Sequence, residues 1–260
     1  MRSILKILPL SLCLLLIESA GGLPCAAADA QKKTGLVMFI AHADVPPYYI
    51  RDPESAKNGI LMDVLRAVTE PLGYAVTAWR LPDKRGWDML EHGGVDVYAS
   101  AREWVENPDR FLWTDPFMAN EDVLLCLAGK PLAYAGPETL RGMTVACIKG
   151  FVYPTLEDHF GPGGIIRMDA PSPEAMLELL ARGRADAVLV NRTEIQWILR
   201  TRRDLEPHRF RLGEPPVGTA PFRFVFPRNQ GWEPLVAQFN RRLAAMRRDG
   251  SLKAILDRYR

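Results

Sequence analysis

The sequence predicts an α/β protein built as two similar lobes, and three observations carry the prediction. A strand-loop-helix unit recurs in both halves, the halves share a phrase in which a helix ends at glycine and a strand follows an aspartate, and the chain can fill two cores. About 230 residues follow a leader-like start, and the chain is 48% hydrophobic, which excludes a disordered class.

Residues 1–28 read as an export signal, with cleavage after Ala28 or Ala30. Arg2 and Lys6 precede the apolar run "ILKILPLSLCLLLI", and "CAAADA" offers small-residue cleavage sites. The run is about fourteen residues, short of the roughly twenty a membrane span needs. Leu23 and Pro24 before Cys25 argue against a lipid anchor.

"GLVMFIAHADVPPYY" reads as a buried strand and a Pro-broken aromatic loop. "NGILMDVLRAVTEPLG" then repeats Ile60, Val64 and Val68 at helical spacing until Gly73. "YAVTAWRL" is a strand, "KRGWDMLEHG" a short helix and "GVDVYAS" an alternating strand. "VLLCL" is apolar and strand-like. The second half follows the same order. "GMTVACIKGFVYP" is a strand with an aromatic loop, "SPEAMLELLARG" a helix with Ser172 as N-cap and Pro173 in its first turn, and "ADAVLVN" a strand. "PFRFVFPRN" is a further strand, "WEPLVAQFNRRLAAMRRDG" an amphipathic helix closed by Gly250, and "SLKAILDRY" a last short helix. In such sheets ligands gather beyond the carboxyl ends of the strands, here "DVPPYY", "ASAREW", "KGFVYP" and "VNRTE".

The formal charge of +2, of which residues 1–28 hold +1, argues against a nucleic-acid partner. His42, His92, His159 and His208 lack metal-ligand spacing, and no nucleophile, phosphate-loop or dithiol motif occurs, so neither cofactor nor metal is expected. Past the leader, Cys126 and Cys147 are the cysteines that remain, and they stand either as a disulfide or as two buried small hydrophobes on separate strands.

"DVPPYYI", "NGILMDVLRAVTEPLGY", "GGVDVYAS", "NPDRFLWTDPF", "LRGMTVACIKG", "LLARGRADAVLV" and "VAQFNRRLAAMRRDGSLKAILDRY" run in order from Gly35 to Arg260. Together they resemble the periplasmic solute-binding proteins of polar amino-acid ABC importers, bacterial extracellular solute-binding family 3. The resemblance implies a two-lobed periplasmic-binding-protein-like fold, each lobe a mixed sheet flanked by helices. Lobe 1 is expected over 35–119 plus 222–260 and lobe 2 over 120–221, with crossover strands near Ala119–Asp122 and Thr219–Phe222. It also implies a monomeric, non-enzymatic periplasmic protein that closes on a small-molecule solute and is read by an ABC permease of the inner membrane. A cyclic-carboxylate dehydratase-like enzyme, for which Lys149 is the lysine at a cleft loop, and a sensory or interaction module are the alternatives.

Site residues follow from the resemblance one at a time. The family grips the ligand carboxylate with an arginine, a two-pronged donor suited to it. Arg110, in "NPDRFLWTDPF", and Arg102, beside Ser100, compete for that role, each open to a surface pairing with Glu103, Glu106 or Asp109. Ser100 adds a hydroxyl at a strand end. Gly150 keeps an exposed amide where the family has Gly-Thr-Thr, while Phe151 and Tyr153 either meet solute or cover the core edge. Asn191 stands where the family places an amine-binding aspartate, and "NRTE" reads equally as a capping box with Glu194. One of Tyr48 and Tyr49 is expected to face the cleft. Arg85 and Trp87 are weaker candidates, and Trp113 is assigned to the core. The charge missing at 191 implies weak binding of ordinary α-amino acids and a polar, carboxylate-bearing solute instead.

Overall fold

The computed structural model describes residues 34–41, 45–50 and 58–260. The leader, its cleavage sites and His42 lie outside the described residues.

Apolar periodicity places most elements. β1 (Gly35–Ala41) leads through the aromatic loop to α1 (Ile60–Thr69), which buries Ile60, Val64 and Val68 along one stripe. β2 (Ala75–Leu81), α2 (Asp83–Glu91), β3 (Tyr98–Ala101) and β4 (Phe111–Trp113) follow. Next come β5 (Met118–Leu127), β6 (Thr144–Ile148), β7 (Ile166–Ala170), α3 (Pro173–Ala181), β8 (Ala187–Asn191) and α4 (Arg192–Thr201). β9 (Phe210–Leu212), β10 (Gly218–Pro227), α5 (Glu233–Arg248) and α6 (Ser251–Asp257) complete the chain.

β1 and β2 pair in parallel, and Met38 bridges to Val97 just ahead of β3. The other strands form one sheet in the order β3-β10-β5-β8-β6-β7, with β4 beside β10 and β9 beside β5. β5 and β10 are each ten residues long because each serves two neighbourhoods. Their first halves pair antiparallel, Met118–Asp122 against Gly218–Phe222. Beyond that, β10 continues beside β3 and β4 while β5 continues beside β8 and β9. These two strands cross over between the two neighbourhoods.

Apolar burial divides the same way. Two clusters draw their buried members from 36–117 and 220–259, and two others draw theirs from 123–217. Trp197 of α4 reaches across, its ring 6.0 Å from that of Tyr259.

The shared helix-Gly-Asp-strand phrase has a common mechanical basis. Asp96 accepts from the Val37 N–H at 2.8 Å, and its own N–H returns a bond to the Val37 carbonyl at 2.8 Å. Asp186 does the same with Thr144, both bonds again 2.8 Å. Each aspartate ties the start of one strand to the entry of its neighbour, satisfying backbone groups that the parallel ladder leaves over.

Three strands escape the sequence reading. β4 and β9 are three residues each, and β7 shows no clean alternation, with Ile166 exposed and Arg167 and Asp169 charged. Their strand character comes from pairing to β10, β5 and β6. Trp113, assigned to the core, is half-buried, and its indole donates to the Pro108 carbonyl. Cys126 and Cys147 are buried free thiols on separate strands, and burial pushes the Cys147 thiol up to about 12.

Gly86 allows α2 to lie against β1. A Cβ there would come 2.5 Å from the ring of Phe39, which is stacked on Tyr98 with centroids 3.8 Å apart. Gly86→Ala gains about 1 kcal/mol of helix propensity but forces an overpacked aromatic core at about 1–3 kcal/mol. A net loss of up to about 2 kcal/mol is expected in urea unfolding; a stabilised variant would show that α2 moves freely.

Candidate functional site

The aromatic loop is held by the start of α1. The Ile60 and Leu61 N–H groups, free at a helix N-terminus, donate to the Pro47 and Tyr48 carbonyls at 2.9 and 3.3 Å. Gly59 N–H donates to the Tyr259 hydroxyl, which donates to Asp63 at 2.7 Å. The C-terminal segment thereby braces the loop.

Tyr48 and Tyr49 are both buried. The Tyr48 ring packs on Phe222 of the crossover, and its hydroxyl donates to Asn191 Oδ1 at 2.9 Å. The Tyr49 hydroxyl has no hydrogen-bond partner among the described residues. Burial raises the pKa of both phenols.

Asn191 is fully engaged. Its oxygen accepts from Tyr48 and from the Glu194 N–H at 3.1 Å, the N-cap bond of α4. Its nitrogen donates to Asn120 Oδ1 and, at 3.4 Å, to the Glu121 carbonyl. A side-chain amide offers two acceptor and two donor positions, so these four contacts together exhaust it.

Neither arginine is free. Arg102 pairs with Asp109 and Arg110 with Glu91. Register separates the two. Arg102 follows Ala101, which opposes Phe222 at the crossover, whereas Arg110 precedes Phe111, which opposes Pro227 at the other end of β10. Ser100 is buried and its hydroxyl turns to the Ala101 carbonyl at 3.4 Å. A groove of about 510 Å³ runs down this region, lined among others by Asp83, Trp87, Tyr98, Ser100, Trp104 and Glu106, with Arg110 in its wall.

In the second half, Gly150 takes φ +81°, a left-handed conformation suited to glycine, and Phe151 is 60% exposed beside it. Tyr153 is buried, and its hydroxyl accepts from the Ile148 N–H at 3.1 Å. Tyr153 thus covers the core edge beneath the loop.

The sequence reading missed two groups. Arg167 on β7 donates to the carbonyls of Ile148 and Phe151 at 3.2 and 2.7 Å and pairs with Glu157 and Asp169, pinning the 149–153 loop. It was hidden because its strand was. The second group is acidic. Asp122 sits opposite both Asn191 and Gly218 in the sheet, and burial lifts its carboxyl to about 6. Glu194 rises to about 7, through burial first and the charge of Glu174 second. The signal available was "NED", three polar residues inside a predicted strand. Arg192, the nearest cation in sequence, pairs with both Glu121 and Glu214.

The chain can be compared with known proteins on this geometry. It is similar to the GluR0 ligand-binding core solved with L-glutamate (20% identity, TM-score 0.65, covering 88% of this chain and 99% of that one). It is similar to substrate-binding domain 2 of GlnP from Lactococcus lactis in an open conformation (17%, TM-score 0.67, 88% and 96%). It is also similar to a histidine kinase sensor domain related to periplasmic binding proteins (24%, TM-score 0.63, 87% and 96%). No curated protein matches the chain. These likenesses establish the two-lobed binding-protein fold. Residues 37–260 match the family described as bacterial extracellular solute-binding proteins, family 3, and the chain belongs to that family.

Proposed function

We propose that the chain captures a small polar solute between lobe 1 (35–119 plus 222–260) and lobe 2 (120–221), closes on it and hands it to an ABC permease, working as a periplasmic monomer behind a cleaved leader. One observation carries this reading: the Tyr48–Asn191 hydrogen bond joins the loops that leave β1 and β8, 143 residues apart, across the crossover strands. A solute that touches both loops shifts the balance between open and closed forms by its contacts to each. A carboxylate-bearing solute remains within this reading only where Arg102 or Arg110 leaves Asp109 or Glu91.

Thermal-shift screening against amino acids, organic acids, amines and small peptides tests it. A ligand at a hundred times its Kd adds about 2.7 kcal/mol to stability, so a true solute raises Tm by several degrees. Silence across the library would overturn the binding reading. The likeness to a histidine kinase sensor domain favours a second reading, sensing without transport. Liganded protein that stimulates ATP hydrolysis by its reconstituted permease supports delivery; tight solute binding with no stimulation supports sensing.

A further inference from the structure

The sequence resemblance implied an arginine at 102 or 110 for a carboxylate and placed Asn191 where an amine-binding acid would stand. Here both candidate arginines are committed to acids, and the amide at 191 has no hydrogen-bonding capacity left. The negative charge has not vanished from this region. It stands one strand over, on Asp122.

Asp122 is the β5 residue that opposes Asn191 on one side and Gly218 on the other, so it lies at the centre of the crossover. It alternates with Val123, whose side chain enters the cluster under α3 and α4, and therefore faces the side of the sheet that holds Leu124, Tyr153 and Val217. A Cβ placed on Gly218 would be 3.5 Å from the Thr155 hydroxyl and 3.9 Å from an Asp122 carboxylate oxygen, so these two groups flank the bare glycine. A side chain at 218 would pack directly against both groups. Tyr48 approaches from the other lobe, close enough for the charges of Asp122 and Glu194 to act on its phenol. No ion pair to Asp122 forms among the described residues. A carboxylate partly withdrawn from water without a cation costs free energy, and a cation supplied from outside would offset that cost.

The first lobe agrees in sign. Its groove beside Ser100 carries Asp83, Asp88, Glu91 and Glu106 against one guanidinium, Arg110, and Trp87 and Trp104 offer ring faces that attract cations. Such a surface concentrates positive solutes and repels anions.

We propose that the cleft takes a small organic cation, with Asp122 as the seat of its charge and the Thr155 hydroxyl and Tyr48 ring beside it. This rests on the solute-binding reading and names the class of solute. An ammonium or guanidinium group donates to Asp122 beside the bare Gly218.

Calorimetry with 1,4-diaminobutane and succinate, four-carbon probes of opposite charge, tests the proposal on the full chain at pH 7.5. The diamine is expected to bind and succinate not. Asp122→Asn should weaken the diamine at least tenfold while the melt stays cooperative, and Asp122→Glu should recover part of the loss. Diamine binding unchanged in both variants would overturn the role of Asp122. Succinate binding without diamine binding would overturn the cation class while leaving a solute-binding protein. If neither probe binds but another solute in the screening library does, the cation class falls, unless that solute is itself a cation that Asp122→Asn weakens tenfold, which would uphold it. Silence of the whole library would sink the underlying reading.

Discussion

Gly59→Ala is expected to destabilise the protein by about 3 kcal/mol and to abolish solute binding. Gly59 sits at φ +97°, ψ 155°, a region L side chains avoid; holding alanine there costs about 1–3 kcal/mol. Space compounds the strain. An added Cβ would lie 2.4 Å from the Tyr48 carbonyl oxygen and 2.8 Å from the Tyr49 Cα, and backbone atoms cannot swing aside as a side-chain tip would. Relief requires the loop to shift, which breaks the bonds from Ile60 and Leu61 to that loop and moves Tyr48 off Asn191. Urea unfolding and calorimetry on the best solute would measure both losses. A change below about 0.5 kcal/mol with affinity intact would mean the loop is not set by α1.

Removing the two partly buried carboxylates, Asp122 and Glu194, should change how stability depends on pH. Asp122 and Glu194 have folded-state pKa values of about 6 and 7, raised above ordinary carboxyl values by burial. The folded state therefore binds protons more tightly than the unfolded one. Their contribution is fully present below about pH 4 and is lost as pH rises through 6 and 7. The displacement corresponds to about 3 kcal/mol for each carboxylate, reduced in practice by water that reaches a partly exposed group. The double variant Asp122→Asn/Glu194→Gln should gain on the unmodified protein by about 2–4 kcal/mol at pH 7.5 and by little at pH 4.5, because the new amides need hydrogen bonds of their own. Parallel stability-pH curves for the two proteins would refute the burial of these charges. A stabilising double variant that no longer binds its solute is the pattern expected where a site is kept at the expense of the fold.

Fold was more legible than site, and particular residues show why. The helices declared themselves through stripes such as Ile60, Val64 and Val68, and through caps such as Ser172, whose hydroxyl accepts from the Ala175 N–H at 3.3 Å. The repeated helix-Gly-Asp-strand phrase signalled two related halves because Asp96 and Asp186 perform the same local task. Asn191 was readable as a cap because Glu194 lies three residues on, and that bond forms. β7 and its Arg167 were not readable, since a short edge strand takes its conformation from β6 rather than from its own pattern.

The sequence by itself determined the α/β class, the order of the helices and longer strands, and the family, because these depend on periodicity, caps and turn residues that act within a few positions. Only the tertiary structure decided which charges are available. Arg102 and Arg110 look alike in sequence, yet each is committed to an acid, and register sends Arg110 to the far end of β10. Asp122 looks like an ordinary polar residue near a crossover, yet three strands converge to half-bury it without a cation. Charge pairing and desolvation depend on what the fold brings within about 4 Å, and those neighbours lie up to a hundred residues away.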